Sequence, residues 1–351
     1  MKFQLYQPQA INELGNRTNQ EDSVYPLMGE ATAEHRVFVV CDGMGGLDKG
    51  EVASETVSKA IGHMAEVIHS AVPVFTDEDF CQCLSKAYDA LDAADVDNEA
   101  SMGTTMTFLC FHSGGCLVAH IGDSRIYHLR PSLGPKKGIL YRSGDHSLVQ
   151  QLYEMGDISY NEMKTSPRKN VIMKAMQPHQ EQRTMATLAH ITDVEPDDYF
   201  YLCTDGMLEE MEDEELMSIV ASTDTDEQKR QRLIEVTGGN ADNHSAYLIK
   251  VKAVIAEPGD ESLVGDEEEL RANNKALNDN HKDRAWHNDG GEENLDGTLS
   301  ATATDASKQQ DVPEDSKKNR TLTYVTIGLS VLSLLAGIAA GIAVFLEDLF
   351  K

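Results

Sequence analysis

Positive charge is scarce in this sequence. Against 59 Asp and Glu stand 30 Lys and Arg, a formal net charge of -29 over 351 residues. That balance excludes nucleic acid as a partner, because a phosphate backbone needs a Lys/Arg footprint. It does not exclude a phosphorylated substrate, provided metal cations supply local positive charge. Cysteine chemistry is missing as well. The six cysteines show neither a CxxC zinc spacing nor a disulfide framework. Cys41, Cys110, Cys116 and Cys203 sit in apolar strand-like runs, and Cys81 and Cys83 in a helical one. They read as reduced, mostly buried thiols of a cytosolic compartment. The first fifteen residues lack a basic stretch followed by an apolar one, so no secretory signal is read there and the catalytic part is expected in the cytoplasm.

What is present divides into regions. Residues 1–255 mix short apolar runs with helical patterns and carry nearly all the Gly-Asp clusters. Residues 256–320 are poor in aliphatics and rich in Asp, Glu, Asn, Gly and Ser, as in GDEEE at 265–269 and NDGGEEN at 288–294. Such a segment buries too little apolar surface to offset its ordering entropy and reads as an acidic disordered linker. The run LTYVTIGLSVLSLLAGIAAGIAVFL over 322–346 contains no charge. At the helical rise it is long enough to cross a hydrocarbon core of about 30 Å. The expectation is a transmembrane helix over 321–346, with residues 347–351 as a short tail. Lys317, Lys318 and Arg320 precede the run, which puts its N-terminal side in the cytoplasm, as in a tail-anchored protein.

Within 1–255, the pattern predicts strands over 36–41, 104–111, 116–121, 122–129, 198–203 and 245–254, with a hairpin turn at 113–115. Helices are predicted over 51–70, 80–94 and 147–155. Hairpins imply antiparallel pairing, so the fold class is α+β rather than a doubly wound sheet.

Acidic residues recur at the ends of apolar strands, three of the four beside glycine. Asp42 follows RVFVVC and precedes Gly43; Asp123 follows Gly122; Asp205 follows YFYLCT and precedes Gly206; Asp242 and Asn243 precede the last strand. A single Asp-Gly is usually only a turn. A set of carboxylates at the edge of a buried sheet is different: each loses hydration, and together they repel. A hard divalent cation, magnesium or manganese, answers both problems with oxygen ligands.

These residues resemble the PPM family, the type 2C metal-dependent protein phosphatases, in its bacterial form. Arg17-Thr-Asn-Gln-Glu-Asp22 resembles the opening Arg-x-x-x-Glu-Asp motif, and the stretch from Phe38 through Asp42 and Gly43 to Gly46 resembles the first metal motif. Gly103-Thr-Thr105, Gly122-Asp-Ser-Arg125, Asp145-His-Ser147, Thr204-Asp-Gly206 and Asp242-Asn243 follow in family order. The resemblance implies a four-layer α-β-β-α sandwich with two central antiparallel sheets and a cleft holding two Mn2+ or Mg2+ ions, with a third, weaker ion in bacterial relatives. It implies that Asp42 bridges both ions with help from the carbonyl of Gly43, and that Asp205 and Asp242 hold one of them. Glu21 would act near the other through water, with Asp22 behind it. Asp123, with Asp205, would serve the third ion, and Arg17 would grip the substrate phosphate. The implied reaction is hydrolysis of phosphoserine or phosphothreonine by a metal-activated water, with phosphoproteins, targets of a Ser/Thr kinase, as partners. No phosphoenzyme is required, and no arginine follows Cys41, Cys110 or Cys203 at the Cys-x5-Arg distance.

This chain departs from the family pattern at Met44, where animal members often have His as candidate general acid; that role is left unassigned. Gln177 stands where glycine is usual, and Ser245 where threonine is usual. His146 reads as a hydrogen-bonded anchor for the following helix. The segment 156–170 matches the flap of bacterial relatives, which implies substrate choice, with Arg168 and Lys169 in reach of phosphopeptide charge or simply solvated. Two alternatives to an enzyme stand beside it: a scaffold that binds phosphoproteins without hydrolysing them, and a membrane anchor reusing the fold. The complete aspartate set favours the enzyme.

Overall fold

Alternation along the strands decides the architecture. On Val37–Gly45, residues Val37, Val39 and Cys41 join one apolar cluster while Phe38 and Val40 join another, so this strand is buried on both faces. On Tyr199–Cys203, Phe200 and Leu202 join that second cluster while Tyr199, Tyr201 and Cys203 join a third. Three apolar layers interleaved with two sheets require helices outside both. The computed structural model has that arrangement and describes residues 1–45, 49–96, 101–169 and 171–256.

In chain order the strands are β1 (Lys2–Leu5), β2 (Gln9–Glu13), β3 (Asp22–Tyr25), β4 (Val37–Gly45), β5 (Met102–Thr104), β6 (Met106–His112), β7 (Gly115–Ile121), β8 (Arg125–Leu129), β9 (Ile139–Arg142), β10 (Thr187–Ile191), β11 (Tyr199–Cys203) and β12 (His244–Ile255). One sheet has the order β1-β12-β11-β8-β9, with β2 also on β12; the other has the order β10-β7-β6-β4-β3, with β5 also on β4. The pairings are antiparallel. Between the sheets, Phe38 packs on Tyr247 with ring centroids 5.2 Å apart, and Phe111 on Phe200 at 5.1 Å.

Helices α1 (Lys49–Ala71) and α2 (Asp77–Ala94) lay Ala53, Val57, Ile61, Leu84 and Leu91 on the outer face of the β4-containing sheet. Thr76 caps α2 in a reciprocal capping box with Asp79, worth about 1 kcal/mol. The short helices α3 (Leu148–Glu154) and α4 (Tyr160–Thr165) follow β9. Helices α5 (Asp213–Val220) and α6 (Asp226–Thr237) cover the other sheet through Leu216, Ile219 and Leu233.

The α+β class and the two antiparallel sheets agree with expectation, and the structure refines the elements. The 36–41 strand continues to Gly45, because Asp42 pairs with Asp22 on β3, and Gly43 with Thr104 on β5. The 104–111 run is broken at Thr105, whose Oγ1 and backbone N–H both turn to the backbone of Asp42. The 122–129 run becomes a strand only at Arg125, after a turn in which Gly122 has φ +103°. The flap segment contains the helix α4, started by a Ser159/Glu162 capping box. Apart from Ala256, the expected linker, membrane helix and tail over 256–351 lie outside the described residues. Among the described residues no helix is long and apolar enough to cross a membrane.

Candidate active site

Strand ends from both sheets meet at one end of the sandwich. Asp22 opens β3 directly opposite Asp42 on β4. Asp205 follows β11 and Asp242 precedes β12, which are hydrogen-bonded neighbours in the other sheet. Asp123 sits on the turn between β7 and β8. Backbone crowding explains the glycines. A Cβ on Gly43 would lie 2.1 Å from the carbonyl oxygen of Gly50 and 2.4 Å from that of Glu21, and the Gly43 N–H donates to the same Glu21 oxygen at 3.0 Å. One on Gly206 would lie 2.0 Å from the Asn243 carbonyl oxygen.

Hydrogen bonds fix the backbone beneath the carboxylates. The Asp42 N–H donates to Thr105 Oγ1 at 2.9 Å, while Thr104 Oγ1 and the Thr105 N–H donate to the Asp42 carbonyl. Thr204 Oγ1 donates to Asp22 Oδ2 at 3.0 Å. Asn243, 4 % exposed, accepts from the Glu21 N–H at its Oδ1 (2.8 Å) and donates from Nδ2 to the Leu14 carbonyl (2.8 Å). It ties the loop bearing Arg17 and Glu21 to the residue bearing Asp242. The side chain of Glu21 reaches toward the start of α1, its Oε1 2.8 Å from where a Cβ on Gly50 would be. Arg17 Nη2 donates to Asp242 Oδ2 at 2.8 Å. Its charge is stabilised first by Asp242, then by Glu21 and Asp42.

The electrostatics are those of crowded anions. Burial, and then repulsion from Asp205 and Asp242, pushes the Asp22 carboxyl up to about 8. Burial together with Asp205 and Asp145 does the same for Asp123. Asp42 is pushed well above the carboxylate range by burial and by Asp22, Asp205 and Asp123, and shares a hydrogen bond with Asp205, itself raised by burial. Asp123 Oδ1 and Asp205 Oδ1 are buried without a hydrogen-bond partner. Orphaned carboxylate oxygens beside raised carboxyls are the condition that a hard divalent cation relieves, so the residues fit Mg2+ or Mn2+. As the side chains stand, no three His, Cys, Asp or Glu among the described residues gather round one point as ligands. Asp42 meets Asp205, while Asp242 turns outward to Arg17.

The residues around this centre include some to which the sequence assigned no role. Asp145 holds Arg125 in a two-point ion pair, Oδ1 to Nε at 2.6 Å and Oδ2 to Nη2 at 2.7 Å. That pair, with Tyr160, Lys164, Lys169 and Met211, lines a cleft of about 290 Å³ that also reaches Asp123, Asp205 and Asp242. Of the two flap cations, Lys169 lines the cleft and Arg168 does not. Lys164 pairs with Glu212. His146 does not cap α3, which Ser147 does. Instead its Nδ1 accepts from the Gly122 N–H at 3.1 Å, its Nε2 meets Thr187 Oγ1 at 2.9 Å, and its ring stacks on His120. Met44 pairs with Gly103 across β4 and β5, and Gln177 follows the Met176 bridge to Thr104, its Cγ 3.1 Å from where a Gly103 Cβ would be.

With the geometry in view, likeness to known proteins is informative. The family model for protein phosphatase 2C matches residues 14–235. The serine/threonine protein phosphatase PstP of Mycobacterium tuberculosis is 31% identical over 246 residues, which cover 67% of this chain and 43% of that protein. The chain thus matches less than half the length of that relative. Protein phosphatase PhpP of Streptococcus pneumoniae is 28% identical over 249 residues, 69% of this chain and 95% of that one. A solved structure of the PstP catalytic domain in complex with two manganese ions superposes with a TM-score of 0.55 at 29% identity, covering 71% of this chain and 99% of that one. By the match over residues 14–235, the chain belongs to the protein phosphatase 2C family.

Proposed function

We propose that this chain is a metal-dependent serine/threonine protein phosphatase, hydrolysing phosphoserine and phosphothreonine in proteins phosphorylated by a Ser/Thr kinase. The observation that carries the reading is the cluster of Asp22, Asp42, Asp123, Asp205 and Asp242 at one sandwich end, with orphaned buried oxygens on Asp123 and Asp205 and Arg17 at its edge.

In this reading Asp42 and the carbonyl of Gly43 would help hold two Mn2+ or Mg2+ ions. Asp205 and Asp242 would hold one of them, Glu21 would act near the other, and Asp123 with Asp205 would hold a third, weaker ion. When bound, the ions supply a nucleophilic water near neutral pH and charge to meet the phosphoryl oxygens. The protein's own groups do the rest. Asp22, buried behind Asp42 and hydrogen-bonded by Thr204, adds negative potential that holds cations in place. Thr104 and Thr105 fix the Asp42 backbone, and hence the direction in which its carboxyl points. Arg17 offers a planar fork to the phosphate oxygens, and the cleft edged by α4 receives the residues flanking the phosphorylated side chain.

The domain division proposed is a phosphatase domain over 1–255, an acidic linker over 256–320 and a membrane-spanning helix over 321–346, with the phosphatase domain on the cytoplasmic face. The uncharged run over 322–346 and the basic residues just before it support that placement.

The test is release of phosphate from a phosphothreonine peptide by the full chain with manganese, repeated with EDTA and with Asp42→Ala or Asp205→Ala. Turnover that needs metal and both aspartates agrees with the reading. Metal-independent turnover, or turnover retained in either variant, contradicts it.

A further inference from the structure

The side chain of Asp242 has two oxygens, and both are engaged. Oδ1 accepts from the backbone N–H of Asn243 at 2.9 Å, while Oδ2 accepts from Arg17 Nη2 at 2.8 Å. Each oxygen keeps a second lone pair, but a cation drawing on Oδ2 competes with the Arg17 guanidinium for the same atom. The backbone beneath Arg17 has little freedom. Gly15 adopts φ +59° with no room for a Cβ beside the Asp242 carbonyl, Asn16 Nδ2 donates to the Asn240 carbonyl, and Asn243 holds Leu14. The guanidinium is the exposed part: the Arg17 and Asp242 side chains are 53% and 33% exposed. An ion pair so exposed biases an equilibrium by about fivefold at most, enough to select a state and weak enough to exchange.

We infer that the Arg17–Asp242 pair is a latch that keeps the phosphate-gripping guanidinium folded back until Asp242 turns inward to a cation. The inference rests on the function proposed above and adds an order of assembly. Arg17 presents its full fork to a phosphoryl group once Asp242 has left it, so the metal-free protein holds substrate up to about fivefold less tightly. The same geometry gives a reciprocal effect. A phosphate that draws Arg17 away leaves Asp242 better able to take a cation, so phosphate and metal favour each other's binding.

The test uses the full chain with 15N-labelled arginine, the Arg17 guanidinium resonances being assigned by their loss in Arg17→Gln. With EDTA, Arg17 should show restricted Cζ–Nη rotation, lost on saturation with Mg2+ and lost without metal in Asp242→Asn. Inorganic phosphate should bind the EDTA-treated Asp242→Asn protein about fivefold more tightly than wild type. That gain should fall below twofold when Arg17→Gln is added, since relief of repulsion alone would survive the second change. An Arg17 signal that Mg2+ leaves unaltered, or a phosphate gain equal in both backgrounds, overturns the latch. Thermal stabilisation by Mg2+ that disappears in Asp42→Asn shows the metal centre standing even if the latch fails. Stabilisation indifferent to Asp42 removes the metal centre and the latch together.

Discussion

Replacing Asn243 by alanine removes a side chain whose two ends join segments more than two hundred residues apart in sequence. Its Oδ1 satisfies the Glu21 N–H and its Nδ2 satisfies the Leu14 carbonyl. A neutral hydrogen bond contributes about 1 kcal/mol net, and an abandoned buried partner costs about 1–3 kcal/mol. Leu14 lies at the surface and can turn to water, while the Glu21 N–H lies deeper, beneath the carboxylate cluster. The sum is a loss of about 2–3 kcal/mol, which lowers the melting temperature of a domain this size by roughly 4–12 °C. Function should suffer more selectively. The loosened loop carries Arg17, so KM for a phosphopeptide should rise by more than kcat falls. Asn243→Asp keeps the acceptor for Glu21 but points a carboxylate at the Leu14 carbonyl, and should be no better than alanine. Urea unfolding at fixed manganese and steady-state kinetics on a phosphothreonine peptide would measure both effects. An Asn243→Ala protein within about 0.5 kcal/mol of wild type, the size of an ordinary surface change, with unaltered KM would refute the reasoning.

Three further outcomes follow from the same geometry. Asp22 and Asp123, raised to about 8 in the folded state, contribute stability that is fully present below the ordinary carboxyl range and is lost as pH rises through about 8. In EDTA stability should therefore fall between pH 6.5 and 9, by about 2 kcal/mol for each group, with the melting temperature following it; saturating manganese should abolish the fall, and a flat profile in EDTA would contradict the crowding of anions. At the acid end, burial pushes His112 down to about 4. Its Nδ1 accepts from the Gly114 N–H, so the folded state resists protonation. With manganese saturating, so that the carboxyl contribution of Asp22 and Asp123 is removed, stability should then fall as pH drops from 6.5 toward 4; His146, which burial lowers to about 3, shares that limb, and His112→Phe should make it shallower in a differential scanning series. Gly43→Ala puts a methyl against two backbone oxygens that have no side-chain freedom to yield; it should cost about 3 kcal/mol or more and weaken manganese binding measured by calorimetry, whereas a near-native melt with native affinity would show that the strand gives way.

Much of the fold is legible in the sequence where the pattern is local. The 113–115 turn and the 51–70 periodicity each announce an element close to its observed bounds, and the VFVVC run marks the start of β4 though not its continuation to Gly45. What is not local is not legible. β1 and β2 are short, partly polar segments that become strands only because β12, at the far end of the domain, offers them an edge. The helix α4 did leave a trace, since Ser159 and Glu162 stand at capping-box spacing. The candidate site divides the same way. Aspartates beside glycines at strand ends are conspicuous. The partners that direct them, Thr105 on Asp42, Thr204 on Asp22 and Asn243 on Glu21, lie in motifs the sequence shows, but beside the ends of other strands, so which backbone or carboxyl each one holds has no local signature.

The placement of the carboxylates has a consequence for variation far from them. Asp22 and Asp42 hang from one sheet, Asp205 and Asp242 from the other, and Asp123 lies where the chain crosses between them. The site is thus a seam, and its width is set by what fills the interior: Phe38 against Tyr247, and Phe111 against Phe200. Whatever binds across the seam works against separation of the two leaves, and by linkage anything that eases their separation weakens binding. A truncated phenylalanine in that interior would then first show itself as a greater demand for metal, before the protein visibly unfolds. Appetite for the ion would report how tightly the two halves of the sandwich are closed.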